Sequence, residues 1–79
     1  MTLPGVYELG SPTGATRKYG MATNLQRRVR EQIGEAERVR WQLSANPPCD
    51  EARLIARYKA QHGRLPPGNK QEPSVSWCD

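Results

Sequence analysis

One acidic residue of this chain occupies an unusual position. Counting about 100° per residue along a predicted helix places Glu51 in line with Ile55 and Tyr58, on the apolar side of that helix. An ionised carboxylate does not belong among apolar side chains unless it has a partner. Two structural explanations are open: an interaction of this first-turn residue with the helix dipole, and an ion pair with an arginine. The functional explanation is a ligand for Mg²⁺ or Mn²⁺, because these cations prefer hard oxygen donors.

Three further residues carry groups that could act with this carboxylate. They are the phenol of Tyr7, the ammonium of Lys18 and the guanidinium of Arg28. Taken singly, Tyr7 is typical of a half-buried ring in a first strand, with its hydroxyl at the surface. Lys18 and Arg28 taken singly are typical of solvated surface charges. The four residues therefore gain significance only if the fold brings them together.

The composition favours an anionic partner. The 79 residues include 12 Lys and Arg against 8 Asp and Glu, for a formal net charge of +4, and most of the positive charge is arginine. Arginine presents a planar fork suited to phosphate oxygens, so an arginine-rich surface binds nucleic acid readily. The alternative is that the charge serves only solubility.

The length predicts a single domain with a small core. A domain this short removes only about 60% of its unfolded surface from water, so we expect marginal stability, which a homodimer or a larger host complex would improve. Phe is absent. Apart from some aromatic rings, the expected core residues are Val6, Leu9, Met21, Leu25, Val29, Ile33, Val39, Leu43, Leu54 and Ile55.

The sequence predicts a cytoplasmic protein that does not associate with membranes. Cys49 and Cys78 are too few for the disulfide framework of a small secreted domain, so we expect reduced thiols. His62 does not join them at a familiar metal spacing. No apolar run approaches the roughly 20 residues of a membrane span, and the N-terminus lacks a basic segment leading into an apolar stretch.

The first half of the chain has the pattern of a hairpin followed by a helix. Apolar residues between Leu3 and Leu9 predict a strand, and a turn rich in Gly, Ser and Pro precedes a returning strand over 16–21. Thr23 and Gln26 have the spacing of a capping box. Leu25, Val29, Ile33 and Ala36 then recur at helical spacing, so the helix is the safest element.

The second half is less clear, because residues 39–44 alternate as in a strand while the residues just before them suit a helix. We choose a strand from Val39 to Ser44, with one continuous helix over 24–43 as the main alternative. Asp50 is a good cap for a second helix from Glu51 to about His62, ended by Gly63. We place the domain boundary at residue 65, with a Pro- and Gly-rich tail over 66–79.

Three segments taken together resemble the GIY-YIG endonuclease domain. Gly5-Val6-Tyr7 is similar to the GIY element, and Gly20 to Arg28 fits the family spacing Gly-x-x-x-Asn-Leu-x-x-Arg. Glu51-x-x-Leu54-Ile55 with Tyr58-Lys59 resembles the glutamate helix of the excision-repair nuclease subunit. The resemblance covers residues 3–59 and, through Asn69, extends toward residue 69. It implies an α+β fold, a three-stranded antiparallel sheet flanked by two helices in the order β-β-α-β-α, which favours the strand at Trp41.

The resemblance also implies an activity: metal-dependent hydrolysis of DNA phosphodiester bonds. The catalytic residues would be Tyr7, Lys18, Arg28 and Glu51, with Glu51 holding one Mg²⁺ or Mn²⁺ ion. Candidates for nucleic-acid contacts are Arg27, Arg30, Gln32, Arg53, Arg57 and Asn69. Asn69 corresponds to an asparagine that follows the glutamate helix in many members.

Two positions depart from the family pattern. Lys18 stands where a tyrosine begins YIG, and Tyr19 takes the aliphatic position, so it should face the other side of the strand and pack there. Gln32 replaces a histidine one turn after the arginine and cannot shuttle a proton. We expect Lys18 to favour the phenolate of Tyr7, or to serve as the base itself.

Two alternatives to hydrolysis are open. One is a catalytically inactive nucleic-acid-binding module of the same fold. The other is a basic helical interaction protein without a sheet, which requires residues 24–43 to form one helix.

Overall fold

The computed structural model describes residues 2–32, 34 and 38–70, and they form an α+β domain of three strands and two helices. The strands are β1 (Gly5–Gly10), β2 (Thr16–Ala22) and β3 (Arg38–Leu43). The helices are α1 (Leu25–Gln32) and α2 (Pro47–His62). The predicted order β-β-α-β-α is confirmed, and the alternative of one helix over 24–43 is wrong.

The sheet is antiparallel and has β1 at its centre, with the strand order β2-β1-β3. Tyr7 on β1 lies opposite Gly20 on β2 and Trp41 on β3. Since side chains alternate between the two faces of a sheet, these three positions share one face. Leu25 of α1 packs on that face against Tyr7 and Leu9, with Val29 and Val39 beside them. Residues Val6 and Glu8 belong to the opposite face, toward α2.

Helix α1 starts one residue later than the predicted capping box requires. The side-chain oxygen of Asn24 accepts a hydrogen bond from the amide of Arg27 at 3.2 Å, and its carbonyl accepts one from Arg28 at 3.1 Å. Asparagine caps as well as threonine or better, so Asn24 takes this position and the Thr23 assignment is wrong. The predicted stripe residues Ile33 and Ala36 lie outside the described residues.

Helix α2 also begins earlier than predicted, with Asn46 at the N-cap position and prolines following it. Proline fits the first turn because its missing N–H would have no helical partner there. Asp50, the predicted cap, lies inside the helix and accepts a hydrogen bond from the Ser44 hydroxyl. The predicted end is confirmed: Gly63 has φ 76° and donates to the Lys59 carbonyl at 2.7 Å.

The core is smaller than the sequence pattern predicts. Its buried apolar residues, among those described, are Val6, Tyr7, Leu9, Leu25, Cys49 and Ile55. Leu43 and Met21 were expected in it and are 51% and 43% exposed, so that expectation is wrong. On β3, Trp41 is also 61% exposed, so the described residues leave this side chain largely uncovered.

Cys49 corrects a second expectation. It is 4% exposed and disulfide-bonded, so it is not the reduced thiol that the sequence predicts. Cys78 lies outside the described residues. The cysteine count therefore no longer supports a reducing compartment. Within the described part of the chain, no helix is long and apolar enough to cross a membrane.

Residues 66–69, here called the edge segment, pack along the outer edge of β2. Pro66 is fully buried, and the amide of Gly68 donates to the Arg17 carbonyl at 2.7 Å. The side-chain amide of Asn69 accepts from the backbone N–H of Tyr19 and donates to its carbonyl, both at 2.9 Å. The packed domain thus continues to Asn69, past the boundary predicted at residue 65.

Candidate active site

Tyr7 forms the floor of the site and is 4% exposed. Its ring lies directly over Gly20, so a Cβ atom built on that glycine would overlap the phenol oxygen and the carbon that bears it. Only a residue without a side chain allows this approach. Gly20 therefore holds Tyr7 in place by leaving room for it, a role that the sequence did not indicate beyond the motif match.

Arg28 brings a cation from α1 to this phenol. Its guanidinium lies close enough to the Tyr7 phenol to oppose the rise in the pKa of that group. The Nε atom of Arg28 lies 3.6 Å from a carboxylate oxygen of Glu31, and the Arg28 side chain is 47% exposed. A half-exposed guanidinium can present its remaining N–H groups to an anion.

Glu51 approaches the same phenol from α2. Its charge raises the pKa of Tyr7, as does the charge of Glu31. Burial raises the pKa of Glu51 itself above the ordinary value, and the nearby Lys18 ammonium opposes that rise. Within the described part of the chain, no residue forms a hydrogen bond or an ion pair with the Glu51 carboxylate. The four predicted catalytic residues are thus electrostatically coupled.

The donor set fits a divalent cation with a single protein ligand. Partial burial without a bonded partner leaves the Glu51 carboxylate under-solvated, and a hard cation would offset this. Among residues 2–32, 34 and 38–70, no three His, Cys, Asp or Glu side chains lie close enough to hold a metal together. Mg²⁺ commonly keeps several waters and binds through one or two carboxylates plus substrate phosphate oxygens. With the ligands that the described residues offer, Glu51 would hold Mg²⁺ together with water and phosphate oxygens.

The structure corrects the expected relation between Lys18 and Tyr7. Burial is the largest influence on Tyr7 and raises its pKa, so the phenol keeps its proton at neutral pH. The cation that opposes this shift is Arg28, and Lys18 acts instead on Glu51. The prediction that Lys18 favours the phenolate is therefore wrong.

Lys18 is half-buried beside the edge segment. A Cβ atom on Gly68 would lie 2.9 Å from Cβ of Lys18 and 3.3 Å from its Cγ. The absence of a side chain at Gly68 thus allows the chain to pass close to the Lys18 stem. The edge segment thereby restricts the space around the first carbons of the Lys18 side chain.

Tyr19 behaves as the departure from the family pattern predicts. Its ring packs edge-on against Tyr58 of α2, with the centroids 6.4 Å apart and an interplanar angle of 75°. It therefore faces away from Tyr7 and serves packing. Asn69 was predicted to contact nucleic acid, but both ends of its amide bind the Tyr19 backbone. We assign Asn69 to positioning of β2.

The remaining predicted nucleic-acid contacts divide between two helices. Arg27, Arg30 and Gln32 lie on α1 beside Arg28, and the Arg27 side chain is 76% exposed. Arg53 and Arg57 lie on α2 and border cavities with Val6 and Gln42, on the face away from Tyr7. The predicted set therefore does not form one surface.

Sequence reasoning missed Arg40 as a surface cation of interest. It lies on β3, and its guanidinium is 4.0 Å from a carboxylate oxygen of Glu8 on β1. The only signal was the alternation of Arg38 and Arg40 along one strand. Whether these arginines approach Glu8 depends on how the strands pair, and the sequence alone does not provide the pairing.

Comparisons with known proteins give no match: no family model, no curated protein and no solved structure is significantly similar to this chain.

Proposed function

We propose that this domain is a metal-dependent endonuclease of the GIY-YIG type that hydrolyses DNA phosphodiester bonds. The observation that carries the proposal is the coupling of the Tyr7 phenol to both Arg28 and Glu51, which come from different helices. A structural core tyrosine would not need two opposite charges at its hydroxyl. A cytoplasmic location belongs to the same proposal, since the substrate is intracellular DNA.

Arg28 binds the scissile phosphate in this mechanism. Its free N–H groups pair with the non-bridging oxygens and offset the negative charge that grows on them during attack. Glu31 competes for the same guanidinium, at 3.6 Å from Nε. The phosphate therefore replaces an exposed ion pair, which is worth little in water.

Tyr7 accepts the proton of the attacking water. The water oxygen forms a bond to phosphorus, its proton passes to the phenolate oxygen of Tyr7, and the bond between phosphorus and the 3′ oxygen breaks. Because the pKa of Tyr7 is raised, only a small fraction is phenolate at neutral pH. The rate should therefore rise with pH until another step limits it.

Glu51 is the residue that would hold a divalent cation beside the scissile phosphate. A bound Mg²⁺ or Mn²⁺ would supply Lewis-acid stabilisation of the departing 3′ oxygen. Lys18 lies close enough to influence the Glu51 carboxylate and keeps it in the ionised form that binds a cation. Arg27, Arg30 and Gln32 supply further phosphate contacts along α1.

Nicking of supercoiled plasmid tests the proposal. Wild-type protein should nick in Mg²⁺ and not in EDTA, while Glu51→Ala should lose at least about 100-fold. Tyr7→Phe removes one oxygen atom and should lose a similar factor at pH 8. Tyr19→Phe is the matched control, since its ring lies on the other face, and it should nick like wild type.

The pH profile gives the sharper version of this test. Between pH 6.5 and 8.5 we expect the wild-type rate to rise about tenfold per unit, because the phenolate fraction does so below its pKa. Tyr7→Phe should flatten the profile. Nicking that survives Tyr7→Phe with its pH dependence intact would exclude Tyr7 as the base.

The second candidate is a nucleic-acid-binding module of the same fold without catalysis. It is favoured by the burial and raised pKa of Tyr7, because the site then offers no phenolate at neutral pH without substrate. Salt-sensitive DNA binding by the wild type, with no nicking in Mg²⁺ or Mn²⁺ up to pH 9, would support this candidate.

A further inference from the structure

A second groove lies between β3 and α2, and Val6, Tyr7 and Glu8 of β1 border it. Its volume is about 580 Å³. Helix α2 packs mainly on β2 and β1, so this side of β3 stays open. Arg40 and Gln42 line the groove from β3, and Arg57 lines it from α2. The groove is thus bordered by one arginine from the sheet and one from the helix.

The positive charge of this groove is only partly neutralised. Glu8 lies between the strands with 14% of its side chain exposed, and it accepts a hydrogen bond of 2.5 Å from Thr16. It is 3.7 Å from Arg38 and 4.0 Å from Arg40. A single, largely buried carboxylate therefore offsets the charge of two arginines, and the Arg40 side chain remains 72% exposed.

The basic surface continues along α2. A smaller depression of about 160 Å³ shares Gln42 and Arg57 with the groove and adds Arg53. Arg53 is 68% exposed and lies 3.7 Å from Asp50, whose other oxygen is bound by Ser44. For Arg57, no carboxylate of the described residues lies within ion-pair distance. Arginine side chains thus border both the groove and the adjoining depression.

The strand register places the Arg40 and Gln42 side chains on the sheet face opposite the Tyr7 side chain, while Tyr7 also borders the groove between them and α2. A straight duplex that lies on one face does not reach the other. We propose that the groove formed by Arg40, Gln42 and Arg57 binds the phosphate backbone of a second duplex arm of a branched DNA substrate. The inference rests on the proposed function for the identity of the substrate, and it narrows that substrate to DNA with two arms.

Equilibrium binding of labelled DNA in EDTA tests the groove without cleavage. The probes are a three-way DNA junction and a linear duplex with the same number of base pairs. Arg40→Gln combined with Arg57→Gln removes two charges from the groove. Arg64→Ala combined with Lys70→Ala removes two charges from exposed positions outside it and is the matched control. Thermal melts establish that each variant is folded.

Wild-type protein should bind the junction more tightly than the linear duplex. The groove variant should lose about tenfold on the junction and little on the duplex, and its salt slope on the junction should fall by about 1.8, or 0.9 per phosphate contact. The control should lose little on either probe. Equal losses on both probes, an equal effect of the control, or no junction preference in wild type would overturn the inference.

The nicking assay and the binding measurement test the two proposals separately. If wild type does not nick but the groove variant selectively loses junction binding, the endonuclease is wrong and the second-arm site stands. If wild type nicks and the groove variant shows no selective loss, the endonuclease stands and the second-arm site is wrong.

Discussion

The two outer edges of the sheet differ sharply. The edge at β2 is covered by the edge segment, whose Asn69 amide pairs with both backbone groups of Tyr19. At the β3 side, Trp41 and Leu43 are 61% and 51% exposed. The candidate catalytic residues lie near the covered edge, through Gly20, Lys18 and Glu51. The sheet is therefore more fully packed at the edge where the candidate catalytic residues lie.

Gly20→Ala should have the largest effect, because it disturbs the closely packed β2 side of the sheet. The new methyl group would overlap the Tyr7 phenol, so either the ring or β2 must move. We expect a loss of about 1–3 kcal/mol in the free energy of unfolding and at least about 100-fold in nicking. Chemical denaturation and the plasmid assay measure the two effects.

Gly34→Ala is the matched control for this substitution, because nothing lies within 4 Å of its added methyl group. It should leave both quantities nearly unchanged. A Gly20→Ala protein with wild-type stability and nicking would show that the close approach of Tyr7 to β2 has no functional importance.

Asn69→Ala should have the next largest effect, because it uncovers the β2 edge. Two hydrogen bonds to the Tyr19 backbone are lost, which costs about 1–2 kcal/mol of stability. Hydrogen exchange should accelerate at the Tyr19 amide. It should stay unchanged in β3, on the other side of the sheet.

Lys70→Ala, one residue further on and exposed, should leave the exchange rates as they are. Faster exchange throughout the sheet in Asn69→Ala would mean that the amide supports the whole domain, and the contrast between the two edges would lose its meaning.

Glu51→Gln should produce the smallest change in stability. Unlike the two substitutions above, it should raise the stability of the folded protein. Burial raises the pKa of Glu51 in the folded state, so its stabilising contribution is present below the unfolded pKa and is lost as pH rises through the folded pKa. Without metal, the variant should therefore melt higher than wild type at pH 7.5, with the difference vanishing at acidic pH, where the carboxyl group is protonated in both the folded and the unfolded state.

Adding Mg²⁺ sharpens this prediction, because a cation that binds the folded state should raise the melting temperature of wild type and not of Glu51→Gln. A wild type that melts higher than the variant at pH 7.5 in EDTA would show that the carboxylate has a stabilising partner in the protein. An equal response of both proteins to Mg²⁺ would exclude Glu51 as the ligand.

The parts of the fold that could be predicted have local signals. Gly63 ends α2 because it adopts φ 76°, and the alternation around Trp41 identifies β3. The cap of α1 was missed by one residue because Thr23 and Asn24 are both good caps. Nothing in their spacing says which side chain reaches the Arg27 amide.

The sequence alone could not predict which side chains cover the sheet or which charged groups lie close to one another. Alternation indicates that Leu43 shares a face with Trp41, but not that both side chains stay more than half exposed. Four candidate site residues were identified through the motifs, and the structure couples them. The assignment of Lys18 to Tyr7 failed because neighbouring strands do not determine which of two groups a long side chain approaches.

The hydrogen bonds of Gly68 and Asn69 to β2 have a practical consequence for recombinant work. A fragment truncated after residue 65 would leave the Arg17 carbonyl and the Tyr19 backbone open to pairing with a foreign strand, which promotes aggregation. A fragment that ends at residue 70 retains these hydrogen bonds but lacks Cys78, the other cysteine of the chain, and so removes the disulfide of the buried Cys49. Truncated proteins should therefore retain both the edge segment and Cys78.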